Sequence, residues 1–286
     1  MHFDFHFTAV EILWTLTFAA MLVLLVVLLG RERIRRFPFF TASVILIGID
    51  MLVQKLLTSR IAPLRSTEIS LALADLGVVV SLLVAVELAR RAFAGARWPA
   101  WVAGSVVLLG GAAAVIAFWG SWPPAKAVFD SSMLGHLRLM QLFAQKGDLF
   151  NEALSVELFA LVVVVGRRFK TGWRSHTQQI LAGLSTNSAM LIVSRIIWES
   201  MIRNAPRTEA EYQKLMDLQS HLLSANGVAL LVVMLWWIVC LWIDEPSATP
   251  PGLPAAQEAA TPAAEPAETL EPLIGKPAEA PIPPEA

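Results

Sequence analysis

The sequence predicts an all-α, polytopic transmembrane bundle of seven helices, its N-terminus outside and its C-terminus cytoplasmic, followed by a disordered C-terminal tail. Three observations predict it. Seven apolar segments follow one another between residues 9 and 243, most of them of the length a helix needs to cross the ~30 Å hydrocarbon core of a bilayer. Basic residues gather in alternate loops between these segments. The 286-residue chain is 56% hydrophobic and 16% charged, with a mean hydropathy of +0.61, which leaves too few polar residues to cover the outside of a soluble domain.

The first segment, Ala9–Gly30, contains an uninterrupted apolar run from Ile12 and exits into Arg31-Glu32-Arg33-Ile34-Arg35-Arg36. Four arginines at a helix exit stay on the cytoplasmic side, which orients this helix and, by alternation, the rest. The preceding residues, Met1 to Phe7, lack the basic start and the small-residue cleavage site of a signal peptide, so the first helix is expected to be retained. The remaining segments are Pro38–Leu57, Glu68–Ala89, Pro99–Trp119, Phe150–Gly166, Thr177–Trp198 and Leu222–Ile243. Pro38 suits a first helical turn, where its missing N–H is tolerated.

Loop charge gives the same orientation. The loops at 31–38, 90–98 and 167–176 hold 11 basic residues in 27 positions, against 8 in 60 for the loops at 59–67, 120–149 and 200–220. Trp98, Trp101, Trp119, Trp122, Trp173, Trp198 and Trp242 fall near segment ends, the interfacial level that amphipathic rings favour. Trp236 and Trp237 lie deeper and are expected to be packed or lipid-facing.

Two loops on the outer side are long enough for structure. Within Lys126–Gln145, the residues Met133, Leu134, Leu137, Met140 and Ala144 share a helical face, which predicts an interfacial helix on the outer leaflet. In the stretch 200–220, Thr208 followed by Glu211 reads as a capping box opening a short helix that feeds the last span. Residues 244–286 carry eleven prolines, eight acidic residues and one lysine, and are expected to stay disordered for want of apolar surface to bury. Domain organisation is therefore 1–243, transmembrane, and 244–286, an acidic tail.

An ionisable side chain inside a span costs about 2.5–3.5 kcal/mol at its centre on insertion scales, so each needs a reason. The candidate ligand-binding residues are Asp50, Gln54, Asp75, Glu157, Arg195, Glu199 and Asn226. Asp50 and Gln54 share a face of the second segment; Arg195 and Glu199 continue a polar stripe of the sixth. Counting ~1.5 Å per residue, Asp50, Asp75 and Glu157 lie roughly 10 Å below the outer boundary. These depths predict a polar cavity in the outer half of the bundle, with Arg195 as its central cation paired to Asp50 or Asp75. The same groups could instead be contacts that fix helix packing. Glu87 reads as a salt-bridge partner of the arginines that follow it, and Asn187 and Asn226 as interhelical hydrogen-bond groups.

Other chemistries lack support. A single cysteine, Cys240, excludes an intramolecular disulfide and thiolate clusters. No H-x-x-x-H or H-E-x-x-H spacing, G-x-S-x-G turn or phosphate-binding loop occurs, so neither metal, cofactor nor catalytic centre is expected. Nucleic-acid binding has no basic helix face or aromatic platform behind it.

The Arg35-Arg36-Phe37-Pro38-Phe39-Phe40 junction, set in a seven-span layout over residues 10–243, resembles a group of uncharacterised bacterial seven-helix integral membrane proteins. That resemblance implies a bacterial inner-membrane location and no particular activity. Seven helices with the N-terminus outside are also similar to receptor-like and rhodopsin-like proteins, but the last segment has no lysine for a retinal Schiff base. The leading expectation is a non-enzymatic, receptor-like sensor or binder of a small polar solute from the outer side, with the lipid bilayer around it and a cytoplasmic partner reading the tail. A proton- or ion-coupled transporter and a structural or assembly protein are the alternatives. The inner half, lined by Val, Leu and Ile, favours binding over transport.

Overall fold

In the computed structural model, residues 8–57, 60–94, 98–120, 122–124, 132–165, 175–203 and 208–244 are described. The predicted tail beyond Asp244 and the basic loop at 166–174, with Trp173, lie outside them. The described residues form eight helices and no strand: α1 (Ala9–Gly30), α2 (Arg33–Arg36), α3 (Pro38–Leu57), α4 (Pro63–Ala92), α5 (Trp98–Phe118), α6 (Met133–Val165), α7 (His176–Ile202) and α8 (Glu209–Trp242). Five of them, α1, α3, α4, α7 and α8, are long and apolar enough to cross a membrane.

Local chemistry explains the helix starts. Thr8 opens α1 and Thr208 opens α8 with the same device: each hydroxyl accepts from the backbone N–H three residues on, and Glu11 or Glu211 reaches back to the threonine N–H, all at 3.3 Å. These capping boxes satisfy donors that a first turn otherwise leaves free. The Thr208 start was legible in the sequence. α3 begins at Pro38, as the junction predicts.

The long helices form a ring in the order α1, α3, α4, α6, α7, α8 and back to α1, while α5 packs mainly on the outside of α6. On α1, Thr17, Ala20, Met21, Leu24, Val27 and Leu28 are buried, a stripe at helical spacing, whereas Val10, Leu16, Leu22, Val26 and Leu29 are exposed. An apolar helix that buries one stripe and exposes the rest suits a surrounding of lipid rather than water. Trp237 is buried and Trp236 is half exposed, so the adjacent pair divides between packing and the outer surface.

One expectation is overturned. Met133–Gln145 is no separate interfacial helix but the start of α6, which continues unbroken for 33 residues, about 50 Å. Gly147 does not break it, because that position is a helix crossing: a Cβ there would run into the Val78 side chain of α4. Close approach of two backbones compensates for the low helix propensity of glycine.

The end of the ring that carries the arginine junction is knitted together. Arg31 and Arg33 reach Asp244 after α8 at 3.4 and 3.0 Å, and Arg31 stacks 4.9 Å over the Trp242 ring. The His176 imidazole meets the Ile243 carbonyl at 2.9 Å. Glu87 of α4, nearly buried, pairs with Arg91 at 3.6 Å and accepts from the Phe40 N–H at 3.2 Å. A carboxylate from one helix therefore caps the N-terminus of another, α3, where it also meets the positive end of the helix dipole. Phe37 and Phe40 beside it are fully buried.

This tertiary cap predicts a graded mutational effect. Glu87→Leu removes the acceptor and should lower stability by about 1–3 kcal/mol. Glu87→Gln keeps an acceptor and should lose less than half as much in detergent-solubilised thermal denaturation.

Candidate functional site: a polar cavity inside the helix ring

The polar residues of α6 recur at helical spacing. Asp148, Asn151, Glu152 and Ser155 sit at i, i+3, i+4 and i+7, and so share one face. That face looks into a cavity of about 400 Å³ enclosed by α3, α4, α6 and α7, with Trp237 of α8 at its wall. Asp50 and Gln54 reach it from α3, and Asn187 and Ser188 from α7. Leu73, Val80, Leu184 and Leu191 supply apolar wall between these groups. Towards the arginine junction the cavity narrows onto Leu88 and Trp237, and the buried Phe40 ring packs edge-on against Trp237 with centroids 5.0 Å apart.

Several polar atoms here have no donor to pair with. Asn151 donates its amide to the Val78 carbonyl at 2.9 Å, which leaves its buried Oδ1 unpaired. Glu152 accepts from the Arg195 guanidinium at 3.2 Å through Oε1, while its buried Oε2 is unpaired. Arg195 also donates to the Gln145 carbonyl at 3.4 Å. Buried acceptors without protein donors are costly, and they call for a partner such as ordered water or a bound group.

Arg195 faces a second cavity of about 460 Å³, whose lining includes Trp119, Arg138, Gln145, Lys146 and Glu199. Glu152 lines the first cavity and Arg195 the second, so their ion pair stands in the partition between the two. In this second cavity Glu199 accepts from the Trp119 indole at 2.8 Å. Lys146 donates to the Trp119 carbonyl at 2.6 Å and lies 4.6 Å from the Trp122 ring centre.

The sequence candidates thus divide. Asp50 and Gln54 line the central cavity, joined by a 2.8 Å hydrogen bond from the Gln54 amide. Arg195 and Glu199 line the second. Glu157 lies in an apolar cleft with Phe118 and Ile192, its carboxylate against Gly111 of α5. Asn226 accepts from the Ser194 hydroxyl at 2.7 Å, the interhelical role expected of it. Asp75 of α4 has its Oδ1 buried without a hydrogen-bond partner. The expected pairing of Arg195 with Asp50 or Asp75 is therefore corrected: its partner is Glu152, because α6 stands between α4 and α7 and offers the nearer carboxylate.

Asp148, Asn151 and Glu152 were missed as site residues. With Ser155 they form a stripe at helical spacing that the sequence carries, but the charges at Lys146, Asp148 and Glu152 mask it in a segment predicted from Phe150 and extending at most toward Gly147. Among the described residues, no group of three His, Cys, Asp or Glu side chains is placed to hold a metal ion. Comparison with protein-family models, curated proteins and solved structures found no match.

The Glu152–Arg195 pair predicts strong non-additivity. Arg195→Met leaves a buried carboxylate without its cation and should cost about 3–5 kcal/mol. Adding Glu152→Leu removes that stranded charge, so the double variant should melt closer to wild type than Arg195→Met alone.

Proposed function

We propose that this protein is a receptor-like sensor or binder of a small polar solute, held in the central cavity of a seven-span helical bundle in the bacterial inner membrane. The observation that carries the reading is the enclosed space of about 400 Å³ whose buried acceptors, Asn151 Oδ1 and Glu152 Oε2, have no donors. Mixed apolar and polar lining of this size is what small-molecule sites use: the apolar wall for affinity, a few polar groups for orientation.

The seven-span count rests on α5 and α6 crossing along with the five longer or more apolar helices. α5 is 21 residues of almost wholly apolar sequence. α6 carries charges, yet α4, α5 and α7 enclose it, so those charges need not meet lipid. The outside N-terminus rests on the basic bias of alternate loops. On that orientation the arginine junction faces the cytoplasm, and the cavity opens away from it.

A transporter is the second reading, and the depth of the cavity favours it. Along α4 the lining runs from Ser70 to Leu88, about 27 Å at helical rise and most of a bilayer. Only the layer of Leu88, Trp237, Phe40 and Phe37 closes it at the junction end.

Two measurements test these readings. Mass analysis of small molecules retained by the detergent-purified protein should find a bound solute in wild type and lose it in Ser155→Phe, which fills the cavity from α6. Retention unchanged in a folded Ser155→Phe protein overturns the reading. Proteoliposomes should bind the retained solute in proportion to protein, without accumulation; sustained uptake would establish transport instead. Separately, a fluorescent protein fused after Ser247 should fold and fluoresce, as a cytoplasmic C-terminus requires.

A further inference from the structure

We infer that the central cavity takes a small organic ammonium ion, a specificity that rests on the solute-binding reading above. The lining contains three carboxylates, Asp50, Asp148 and Glu152, and no lysine, arginine or histidine among the described residues. The nearest cation, Arg195, lines the other cavity and reaches only one oxygen of Glu152. Among the described lining residues the unpaired donor, Trp237 Nε1, lies against Gly183 of α7, and the unpaired acceptors are Glu152 Oε2 and Asn151 Oδ1, on residues that are 7% and 8% exposed. Both line the cavity. A ligand that satisfies them has to bring N–H or O–H donors, and a cation supplies charge as well. An anion would add acceptors to acceptors.

The same surroundings narrow the class to organic cations. No group of three metal-binding side chains gathers among the described residues, and half the wall is aliphatic. A bare metal ion would have nothing to fill that space, whereas an alkyl body does. Trp237, at the narrow end, offers an aromatic surface of the kind that attracts cations. The basic groups are concentrated next door, where Arg138, Lys146 and Arg195 line the second cavity. The Glu152–Arg195 pair therefore stands between an acidic chamber and a basic one.

The test uses the full-length protein in detergent and three probes of similar size and different charge: butylammonium, butanol and butyrate, with sodium chloride matched in ionic strength. Butylammonium should raise the melting temperature in a saturable way, and the other three should not. Asp148→Asn, at an accessible position that leaves the buried pair intact, should weaken the half-saturating concentration at least tenfold. Glu152→Gln should weaken it further, and Glu199→Gln, in the other cavity, should leave it unchanged. Equal or stronger stabilisation by butanol or butyrate would overturn the ammonium assignment while leaving solute binding standing. The same shift from sodium chloride would overturn it in favour of a simple ion effect. No saturable response to any probe, with a retained solute still lost in Ser155→Phe, would overturn the ammonium assignment alone. No response together with unchanged retention in Ser155→Phe would remove both.

Discussion

The arrangement depends on one constraint: charge carried into a low-dielectric layer has to be neutralised by the protein itself. α6, which is not among the five helices long and apolar enough to cross a membrane, carries Lys146, Asp148, Glu152 and Glu157 within twelve residues. Such a helix cannot stand at the lipid boundary. It stands instead against α4, α7 and α5, and each of these neighbours meets one of its polar side chains, Asn151, Glu152 and Glu157 respectively. α7 supplies the guanidinium of Arg195, α4 supplies the Val78 carbonyl, and α5 closes over Glu157. What the neighbours leave unanswered is what defines the cavity.

The two ends of the ring solve different problems. At the arginine junction short-range contacts link α1, α2, α3, α4, α7 and α8, with cations stacked on Trp242 and Phe37 and a carboxylate capping α3. Phe37 and Phe40 are fully buried among these contacts. The opposite end holds a looser pair, Lys55 with Glu11 at 3.7 Å, both side chains about half exposed. Exposed pairs of this kind contribute little to stability. One end is thus fixed largely by buried contacts, and the described pair at the other is half exposed.

Much of this architecture was legible in one dimension. Apolar runs predict the helices, Thr208-x-x-Glu211 predicts one start and Pro38 another, while the same box at Thr8 emerges only in the structure. Partner choice was not legible. The stripe on α7 predicted that Arg195 faces inward, but the order of helices around the ring decides which carboxylate it meets, and sequence order says nothing of that. Adjacent segments in sequence, α4 and α5, turn out to pack on α6 from different sides. The extent of α6 was hidden for a related reason. Lys146 and Asp148 interrupt the apolar pattern, so the chain reads as an interfacial helix up to Gln145 and a separate span from Phe150, although the two are one helix.

The small residues of α5 follow from the same constraint. Its stretch Gly110-Gly111-Ala112-Ala113-Ala114 carries no bulk, and a Cβ at Gly111 would occupy the place of the Glu157 carboxylate. Glycine at this position lets the carboxylate lie against backbone rather than project past it into lipid. α5 packs on a single helix and adds nothing to the lining of the central cavity, so its place in the bundle would otherwise be hard to account for. As a cover for Glu157 it has a definite task. The peripheral helix and the central ion pair are then two answers to one requirement, that the Glu157 and Glu152 carboxylates of α6 each lie against a neighbouring helix.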